Sequence, residues 1–574
     1  MSAHRIAFVV AASLIVSSAT SAQVGRGWSD WLTSYADAQR TSWLRTDPNI
    51  SLESMSEGHF DLQWRTKLDN QSRGLAGLTQ GVTASGVTLF VPTSLVAGSS
   101  NKLFMLDNDI GYVVWSRTFE GTLPTATAGC SGGITSAPTR IVSGAAPPTL
   151  PASTATTAAG RGNQLGYRSA LGEPGQGIPV DAPGGGSGRA AGTPARQGGA
   201  PGGAQGRFTG EPIPGAPIVA GGGLGRAMVG YAVAGDGQLH VVGLQSGKDL
   251  QRPARFLPAY SQWSNPVAVG TMMYAATYGN CAGAPNGVYA IDLDAAEKPV
   301  VSYRTNGGSV VGAVAFSSDG NTLLAAVGPG SVTADGKANA IVALDPKTLQ
   351  LKDWFTQPSA EFVTGPTVFR QGTRDVVAAA TKDGRVILLD SASLGGANHS
   401  TPLLVSRPLF ARGASISADA LSTWARAAAA TATSPASEAR WLLVAVSGRP
   451  SGARATNGAI RNGAVVAVRV AESKGALSLQ PAWTSNDLTT PATPIIVNGV
   501  VFALSTGRPT AVGGTGSPAV LYAYDGVSGK VLWNSGTSMT TFASPGSYWS
   551  ALSQVYVGTN DGTVHAFGFL DERR

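Results

Sequence analysis

The sequence predicts an all-β fold, an eight-bladed β-propeller of four-stranded blades, and three observations support this prediction. Turn-forming residues are abundant, with 75 Gly and 34 Pro among 574 residues, which disfavours long helices. Charged residues make up only 13% and hydrophobic residues 43%, so the chain can form a large core and is neither disordered nor a coiled coil. A short strand–turn–strand template also recurs eight times along the chain.

Each copy of the template has a short apolar strand, an Asp or its substitute, a tight turn, and a second strand that often carries Trp. The clearest copies are LFMLDNDIGYVVW at residues 103–115 and LYAYDGVSGKVLW at residues 521–533. The Asp position falls at 107, 243, 292, 345, 390, 468, 525 and 568, so that five of the seven intervals are 43 to 57 residues. A four-stranded propeller blade takes about 40 to 55 residues. The spacing therefore predicts one blade for each copy.

The two longer intervals contain low-complexity inserts. Residues 143–224 are rich in Gly, Pro and Ala, a composition that cannot bury enough apolar surface to fold alone, so we expect a disordered loop. Residues 422–440 are Ala-rich and predict a second insert with a short helix around residues 424–430.

A second strand pair precedes each template copy and completes the blade. In TPIIVNGVVFALST, residues 493–506, two apolar strands flank a short turn with Gly, which is typical of a β-hairpin. The last copy stops before a fourth strand, whereas FDLQWRTKLDN at residues 60–70 precedes the first blade. We therefore expect this N-terminal strand to pair with the C-terminal blade and close the ring at residues 60–574, which leaves no free sheet edge.

The N-terminus has the pattern of an export signal. Arg5 precedes an apolar stretch at residues 6–16, and small residues lead to Ala22. This predicts a signal peptide at residues 1–22, an N-terminal segment at 23–59, and a periplasmic or secreted protein. No other segment has the run of about 18 apolar residues that a membrane-spanning helix needs. The net charge of +7 comes without a run of Lys or Arg, so nucleic acid is not expected as a partner.

The template residues resemble the repeats of quinoprotein alcohol dehydrogenase-like propellers, whose blades carry the pattern A-x-D-x-x-T-G-x-x-x-W. The best matches are Asp107, Gly111 and Trp115, and Asp525, Gly529 and Trp533. Residues 31–43, WLTSYADAQRTSW, look like the N-terminal segment of these enzymes, and GCSGGITSAPT around Cys130 is similar to the polyvinyl-alcohol-dehydrogenase branch. The resemblance implies pyrroloquinoline quinone (PQQ) on the ring axis, above a Trp floor and below a disulfide of adjacent cysteines, with Ca²⁺ and an Asp base beside it.

The sequence departs from this pattern in its cysteines and its length. The only two, Cys130 and Cys281, are 151 positions apart, and no cytochrome segment is attached, so a dehydrogenase would need an external electron acceptor. Two Cys and five His also exclude a C-x-x-C-H haem site and a Cys/His zinc site. The two cysteines either form a disulfide or remain buried. In an exported chain we favour a disulfide, which would tie the second and third blades together.

Candidate cofactor residues immediately precede the inner strands. These axis-facing positions are Ser136, Trp263, Asn265, Thr364, Ser544 and Trp549. A planar quinone would need an aromatic face from Trp263 or Trp549, and a hard cation would need an amide oxygen such as that of Asn265. The alternative is that these polar groups only satisfy strand ends at the ring mouth. No catalytic base is evident from the sequence.

The template Trp and Asp residues are expected to be structural. The indoles of Trp115, Trp354, Trp483 and Trp533 should pack between neighbouring blades. Carboxylates such as those of Asp292, Asp345 and Asp390 should accept hydrogen bonds from their own turns rather than bind metal.

Two functions follow from these observations. The first is an exported propeller that acts as a binding or scaffold module, with a degenerate cofactor site and a protein or polymer ligand at one mouth. The alternative is a PQQ-dependent alcohol dehydrogenase that passes electrons to an external acceptor. Fold alone does not choose between them, because function lies in the site.

Overall fold

The computed structural model describes residues 30–88, 91–127, 129–146, 228–331, 337–357, 360–411, 413–419, 421–428, 437–451, 455–509 and 516–569. The predicted signal peptide and nearly all of the 143–224 insert lie outside these ranges. The described chain is almost entirely β-structure and forms a ring of eight small sheets, which confirms the predicted eight-bladed propeller. No helix among the described residues is both long and apolar enough to cross a membrane.

The blades follow one another in chain order. Blade 1 consists of Val82–Thr88, Val91–Gly98, Lys102–Asp107 and Val113–Thr118, and blade 2 consists of Val229–Val233, Gln238–Gly243 and Ala254–Arg255. Blade 3 consists of Gln262–Trp263, Val267–Val269, Met272–Tyr278, Gly287–Asp292 and Val300–Arg304. Blade 4 consists of Val310–Phe316, Leu323–Val327, Ala340–Leu344 and Leu351–Thr356. In blade 2 the innermost position is taken by Thr139, which pairs with Tyr231. Ile141–Val142, which follow after Arg140, run parallel to the inner strand of blade 3.

The second half of the ring repeats this arrangement. Blade 5 consists of Thr367–Gln371, Arg374–Ala380, Val386–Asp390 and Leu404–Val405, and blade 6 consists of Leu421–Ala428, Ser437–Ser447, Gly463–Ser473 and Ala476–Thr484. Blade 7 consists of Ile495–Val497, Val500–Ser505, Val520–Asp525 and Val531–Asn534. Blade 8 consists of Ala543–Ala551, Gln554–Thr559, Thr563–Phe569 and the N-terminal strand Phe60–Lys67. Trp43–Leu44 adds a short parallel strand to blade 7. The helices are short: Leu52–Glu57, Cys281–Gly283 and Gly396–Asn398.

The ring closes between the two ends of the chain, as predicted. Phe60–Lys67 pairs antiparallel with Thr563–Phe569, and Phe60 lies opposite Phe569. The Phe60 ring also packs edge-on against Trp533 of blade 7, at a centroid distance of 5.0 Å. The N-terminal strand therefore supplies both the missing outer strand and part of the packing between blades 7 and 8.

Where an outer strand carries Trp, the indole packs against the following blade, as expected for Trp115 and Trp483. The Trp483 Nε1 donates to the carbonyl of Gly526 at 2.9 Å, and its ring covers Gly529 in the turn of blade 7. Trp115 covers Gly247 of blade 2 in the same way. Trp354 stacks on His399, in the connection that follows the third strand of blade 5, and so also packs against the following blade.

The template carboxylates anchor their own turns. The Asp345 Oδ1 accepts from the backbone nitrogens of Lys347 and Thr348, at 3.0 and 2.8 Å. Equivalent bonds are made by Asp292 and Asp525. This confirms the prediction that these residues fix turns.

The helix predicted around residues 424–430 is wrong. Leu421–Ala428 is the inner strand of blade 6 and pairs with Ser437–Ser447. The Trp424 ring stacks on Trp441 of the neighbouring strand, with centroids 4.6 Å apart. Packing between strands thus outweighs the weak helical preference of the Ala-rich sequence.

Candidate functional site

The centre of the ring is occupied by an N-terminal stretch, residues 31–47, which we call the axial segment. It passes the blades in order and hydrogen-bonds to the inner part of each one. The bonded pairs are Trp31 and Thr83, Leu32 and Arg140, Thr33 and Pro266, Ala38 and Phe316, Gln39 and Val368, Thr41 and Thr423, Ser42 and Ile496, and Asp47 and Ser553. These contacts identify the first strand of each blade as the innermost one, except in blade 2, where Thr139 and Arg140 take that position.

Four non-glycine residues of the axial segment have left-handed backbone conformations. Their φ values are 63° at Tyr35, 72° at Ala36, 60° at Arg40 and 55° at Ser42. Such conformations cost about 1 to 3 kcal/mol each and persist where surrounding contacts impose them. Here the turns direct the Tyr35 and Arg40 side chains toward polar groups of blades 3, 4 and 6.

These side chains form a group that we call the axial cluster: Tyr35, Arg40, Asn265 and Asp419. The Tyr35 hydroxyl donates to Asp419 Oδ2 at 3.2 Å and accepts from Asn265 Nδ2 at 3.4 Å. The Arg40 guanidinium donates to three backbone carbonyls, those of Asn265, Val314 and Ser34, at 3.1, 2.8 and 2.8 Å. Two ionisable groups of the axial segment and one from blade 6 thus meet near the axis.

Asp419 lies just before the inner strand of blade 6 and is held by residues of blades 4 and 7. Its Oδ1 accepts from the backbone nitrogen of Ala313 at 2.7 Å, and its own carbonyl accepts from the Thr493 hydroxyl. As a residue Asp419 is partly exposed, whereas Tyr35 and Arg40 are buried. Asn265 is also partly exposed, so Asp419 and Asn265 are the two members of the cluster that a ligand approaching this end of the ring axis can reach.

Burial controls the electrostatics of the axial cluster. Desolvation raises the pKa of Asp419 above its ordinary value, although the Ala313 hydrogen bond and Arg40 oppose the shift. Desolvation and then the nearby Asp419 charge raise the pKa of Tyr35, and desolvation lowers the pKa of Arg40 to about 10. Shifted ionisable groups brought together in this way are typical of functional sites.

We expect Asp419→Asn to make the protein more stable at pH 8 and to leave its stability nearly unchanged below pH 4. A carboxyl with a raised pKa binds more protons in the folded than in the unfolded state, so the free energy of unfolding falls as the pH rises above the ordinary pKa of 3.8. An uncharged Asn avoids this cost. Thermal unfolding at both pH values measures the difference. Asp69→Asn, at a carboxylate that is 85% exposed, is the control, and a uniform loss of stability for Asp419→Asn would contradict the prediction.

The structure brings only one of the three predicted cofactor residues to the axial cluster. Asn265 is there, and its Oδ1 accepts from the backbone nitrogen of Ala137 at 2.8 Å. Trp263 is 1% exposed in the core between blades 2 and 3. Trp549 is fully buried, stacked on Tyr556 and against Gly81. Neither indole presents an exposed face to a planar ligand in this structure.

Cys130 and Cys281 are joined in a disulfide with a Cα–Cα distance of 5.7 Å. It connects the segment before the inner strand of blade 2 to the turn after Met272–Tyr278 of blade 3. Tyr278, at the end of that strand, hydrogen-bonds to Gln262 and lies within the electrostatic influence of Asp419. The disulfide thus links blade 2 to blade 3.

Sequence reasoning missed Asp419, Tyr35 and Arg40. Asp419 stands two residues before Leu421, the same relation to an inner strand that identified Asn265. The mistaken helix in blade 6 hid that relation. The other two residues carry no comparable signal, because their turns form at non-glycine positions.

The described residues do not fit a PQQ–calcium pair. A hard cation takes about six to eight oxygen ligands, whereas the axial cluster offers one carboxylate and one amide oxygen, each already accepting a backbone N–H. In the part of the chain that the structure describes, no three His, Cys, Asp or Glu side chains group together as metal ligands. The two indoles proposed as an aromatic face are enclosed in blade cores.

Comparison with known proteins supports the fold. No protein-family model matches the sequence, and no curated protein matches it. Among solved structures, the quinohemoprotein alcohol dehydrogenase from Comamonas testosteroni is similar, with 13% identity, a TM-score of 0.50, and coverage of 94% of this chain and 80% of that one. A europium-containing methanol dehydrogenase gives 11% identity, a TM-score of 0.53, and coverage of 95% and 98%.

These likenesses confirm a quinoprotein alcohol dehydrogenase-like propeller fold. At such low identities they show the fold alone. The finer similarity to the polyvinyl-alcohol-dehydrogenase branch remains a prediction.

Proposed function

We propose that this protein is an exported β-propeller that binds a polar ligand, carried by a polymer or a partner protein, at its axial mouth, with a degenerate cofactor site. One observation carries the proposal: Asp419 is partly exposed and held in place beside Tyr35 and Asn265, in a donor set that does not fit PQQ with Ca²⁺. Export rests on the signal pattern at residues 1–22.

The axial cluster can form hydrogen bonds with a polar group of a ligand. The Asp419 Oδ2 can accept from a ligand hydroxyl or amine, while the Ala313 N–H fixes Oδ1. The Asn265 amide lies on the other side of the Tyr35 hydroxyl. The hydrogen bonds from Arg40 to backbone carbonyls hold the axial segment in place beneath the cluster. Few groups therefore have to become ordered when a ligand binds.

A PQQ-dependent alcohol dehydrogenase is the second candidate. A carboxyl with a raised pKa near the ring axis is suited to remove the proton from an alcohol hydroxyl, because a general base works best when its pKa lies near the working pH. The two similar solved structures are named as an alcohol dehydrogenase and a methanol dehydrogenase. If this candidate is correct, Asp419 is the base and an external acceptor takes the electrons.

Cofactor binding separates the two candidates. The purified protein is mixed with PQQ and either Ca²⁺ or a lanthanide, and bound quinone is measured by equilibrium dialysis and absorbance, with dye reduction followed for a panel of alcohols. Our proposal expects no stoichiometric PQQ binding at micromolar concentrations and no dye reduction. Binding together with alcohol-dependent reduction that Asp419→Asn abolishes and Asp69→Asn preserves would establish the dehydrogenase instead.

A further inference from the structure

Three exposed arginines lie in the two connections of blades 6 and 7 that meet at Asn462. Arg449 and Arg461 lie in the connection between Ser437–Ser447 and Gly463–Ser473, and Arg508 lies in the equivalent connection of blade 7. The Asn462 carbonyl accepts from the Gly448 nitrogen at 2.7 Å, and its Oδ1 accepts from the Arg508 guanidinium at 2.7 Å. We call these three residues the arginine cluster.

The arginine cluster lies beside the axial mouth. Ser415, four residues before Asp419, pairs with Ser447 at the end of the second strand of blade 6. On the other side, Leu488 hydrogen-bonds to Gly463, next to Asn462, and the same connection leads to Thr493, whose hydroxyl donates to the Asp419 carbonyl. A polymer lying across this face would therefore contact both the arginine cluster and the axial cluster.

The guanidinium groups of the arginine cluster have no carboxylate paired with them directly. Among the residues that the structure describes, none of the three guanidinium groups forms an ion pair. The adjacent carboxylate, Asp487, accepts instead from the nitrogens of Arg461 and Asn462 and from the Asn462 amide. On blade 5, by contrast, Lys382 pairs with Glu361 and Arg385 with Asp383, at 2.9 and 3.0 Å. The unpaired arginines are available to an anionic partner.

The placement of the arginines favours a polymer with repeated carboxylates. Guanidinium groups bind carboxylates through two parallel hydrogen bonds, and the three arginines belong to two separate connections rather than to one pocket. A protein interface would be expected to add an apolar or aromatic centre, and single-stranded nucleic acid would need stacking aromatics. The large exposed hydrophobic residues of the described chain all lie outside these connections; they are Leu75, Ile110, Tyr112, Val300 and Val527.

We propose that the arginine cluster binds the carboxylates of an acidic polysaccharide whose hydroxyl groups reach the axial cluster. This inference names the ligand class of the mouth and rests on the proposed binding function. The arginines attract and orient the polymer through charge, and Asp419 with Asn265 hydrogen-bonds a sugar hydroxyl. Affinity should therefore fall steeply with salt concentration.

Polygalacturonate binding to the full protein tests this proposal by calorimetry, at low salt and at moderate salt, with dextran as the neutral polymer. The triple variant Arg449→Gln, Arg461→Gln, Arg508→Gln should lose at least about tenfold in affinity and most of the salt dependence. The matched triple Arg252→Gln, Arg255→Gln, Arg370→Gln removes the same charge from exposed positions elsewhere and should bind within about twofold of the native protein.

The outcomes separate this inference from the proposed function. If Asp419→Asn weakens binding and the arginine triple does not, the mouth binds ligand and the arginine cluster is wrongly assigned. If only the arginine triple weakens binding, the cluster holds the polymer and the role of the axial mouth fails. The polysaccharide assignment would be overturned by any of three results. These are equal losses of affinity in both triple variants, tighter binding to oligothymidylate than to polygalacturonate, and no binding of polygalacturonate by the native protein.

Discussion

Replacing Cys130 and Cys281 by serine is expected to lower the free energy of unfolding by about 5 kcal/mol. The disulfide closes a segment of 151 residues, and in the chain-entropy description a crosslink restricts the unfolded chain more as the closed loop becomes longer. It also holds the turn in which Gly279, Asn280, Ala282 and Gly283 have φ values of 73°, 50°, 53° and 71°. Urea unfolding followed by Trp fluorescence measures the loss.

The controls isolate the crosslink from the side chains. Cys281→Ser alone should lose about as much stability as the double variant, because either change removes the bond. Reductant should bring the native protein to the same midpoint and should leave the double variant unchanged. A native protein whose unfolding midpoint does not respond to complete reduction would contradict the prediction.

The blades could be predicted because their determinants are local and repeated. An Asp that caps its own turn, a glycine at the turn and a Trp on the outer strand stand at fixed spacing, as at Asp525, Gly529 and Trp533. The ring closure was also predictable, since the last copy lacks a strand that residues 60–70 can supply. These features depend on short-range pattern and on strand count.

The axial cluster depends on contacts that no local pattern reveals. Tyr35 and Asp419 are 384 positions apart and meet only because the axial segment crosses the whole ring. Sequence spacing placed Trp263 and Trp549 near inner strands but could not tell which side of the strand each indole faces. Both indoles are buried in the packing between blades. Tertiary packing likewise makes the Ala-rich residues 421–428 a strand.

Gly529→Ala is expected to lower the free energy of unfolding by about 3 kcal/mol, since both the backbone and the packing at this turn require glycine. Gly529 has a φ of 73°, and an added Cβ would lie 2.6 Å from Cγ of Trp483. Because the Trp483 Nε1 is hydrogen-bonded to Gly526 in the same turn, the indole cannot move away without losing that bond. The substitution should therefore loosen the joint between blades 6 and 7.

Gly536→Ala separates backbone strain from this packing effect. Gly536 has a φ of 54° and no other atom within 4 Å of an added Cβ, so the change should cost only about 1 kcal/mol. Unfolding in urea, followed by far-UV circular dichroism, compares the two variants. Equal losses would mean that the conformational preference of glycine, rather than the indole above it, determines the cost at Gly529. A larger loss for Gly529→Ala would show that contact between blades, repeated at Trp64 with Gly111 and at Trp115 with Gly247, contributes directly to the stability of the ring.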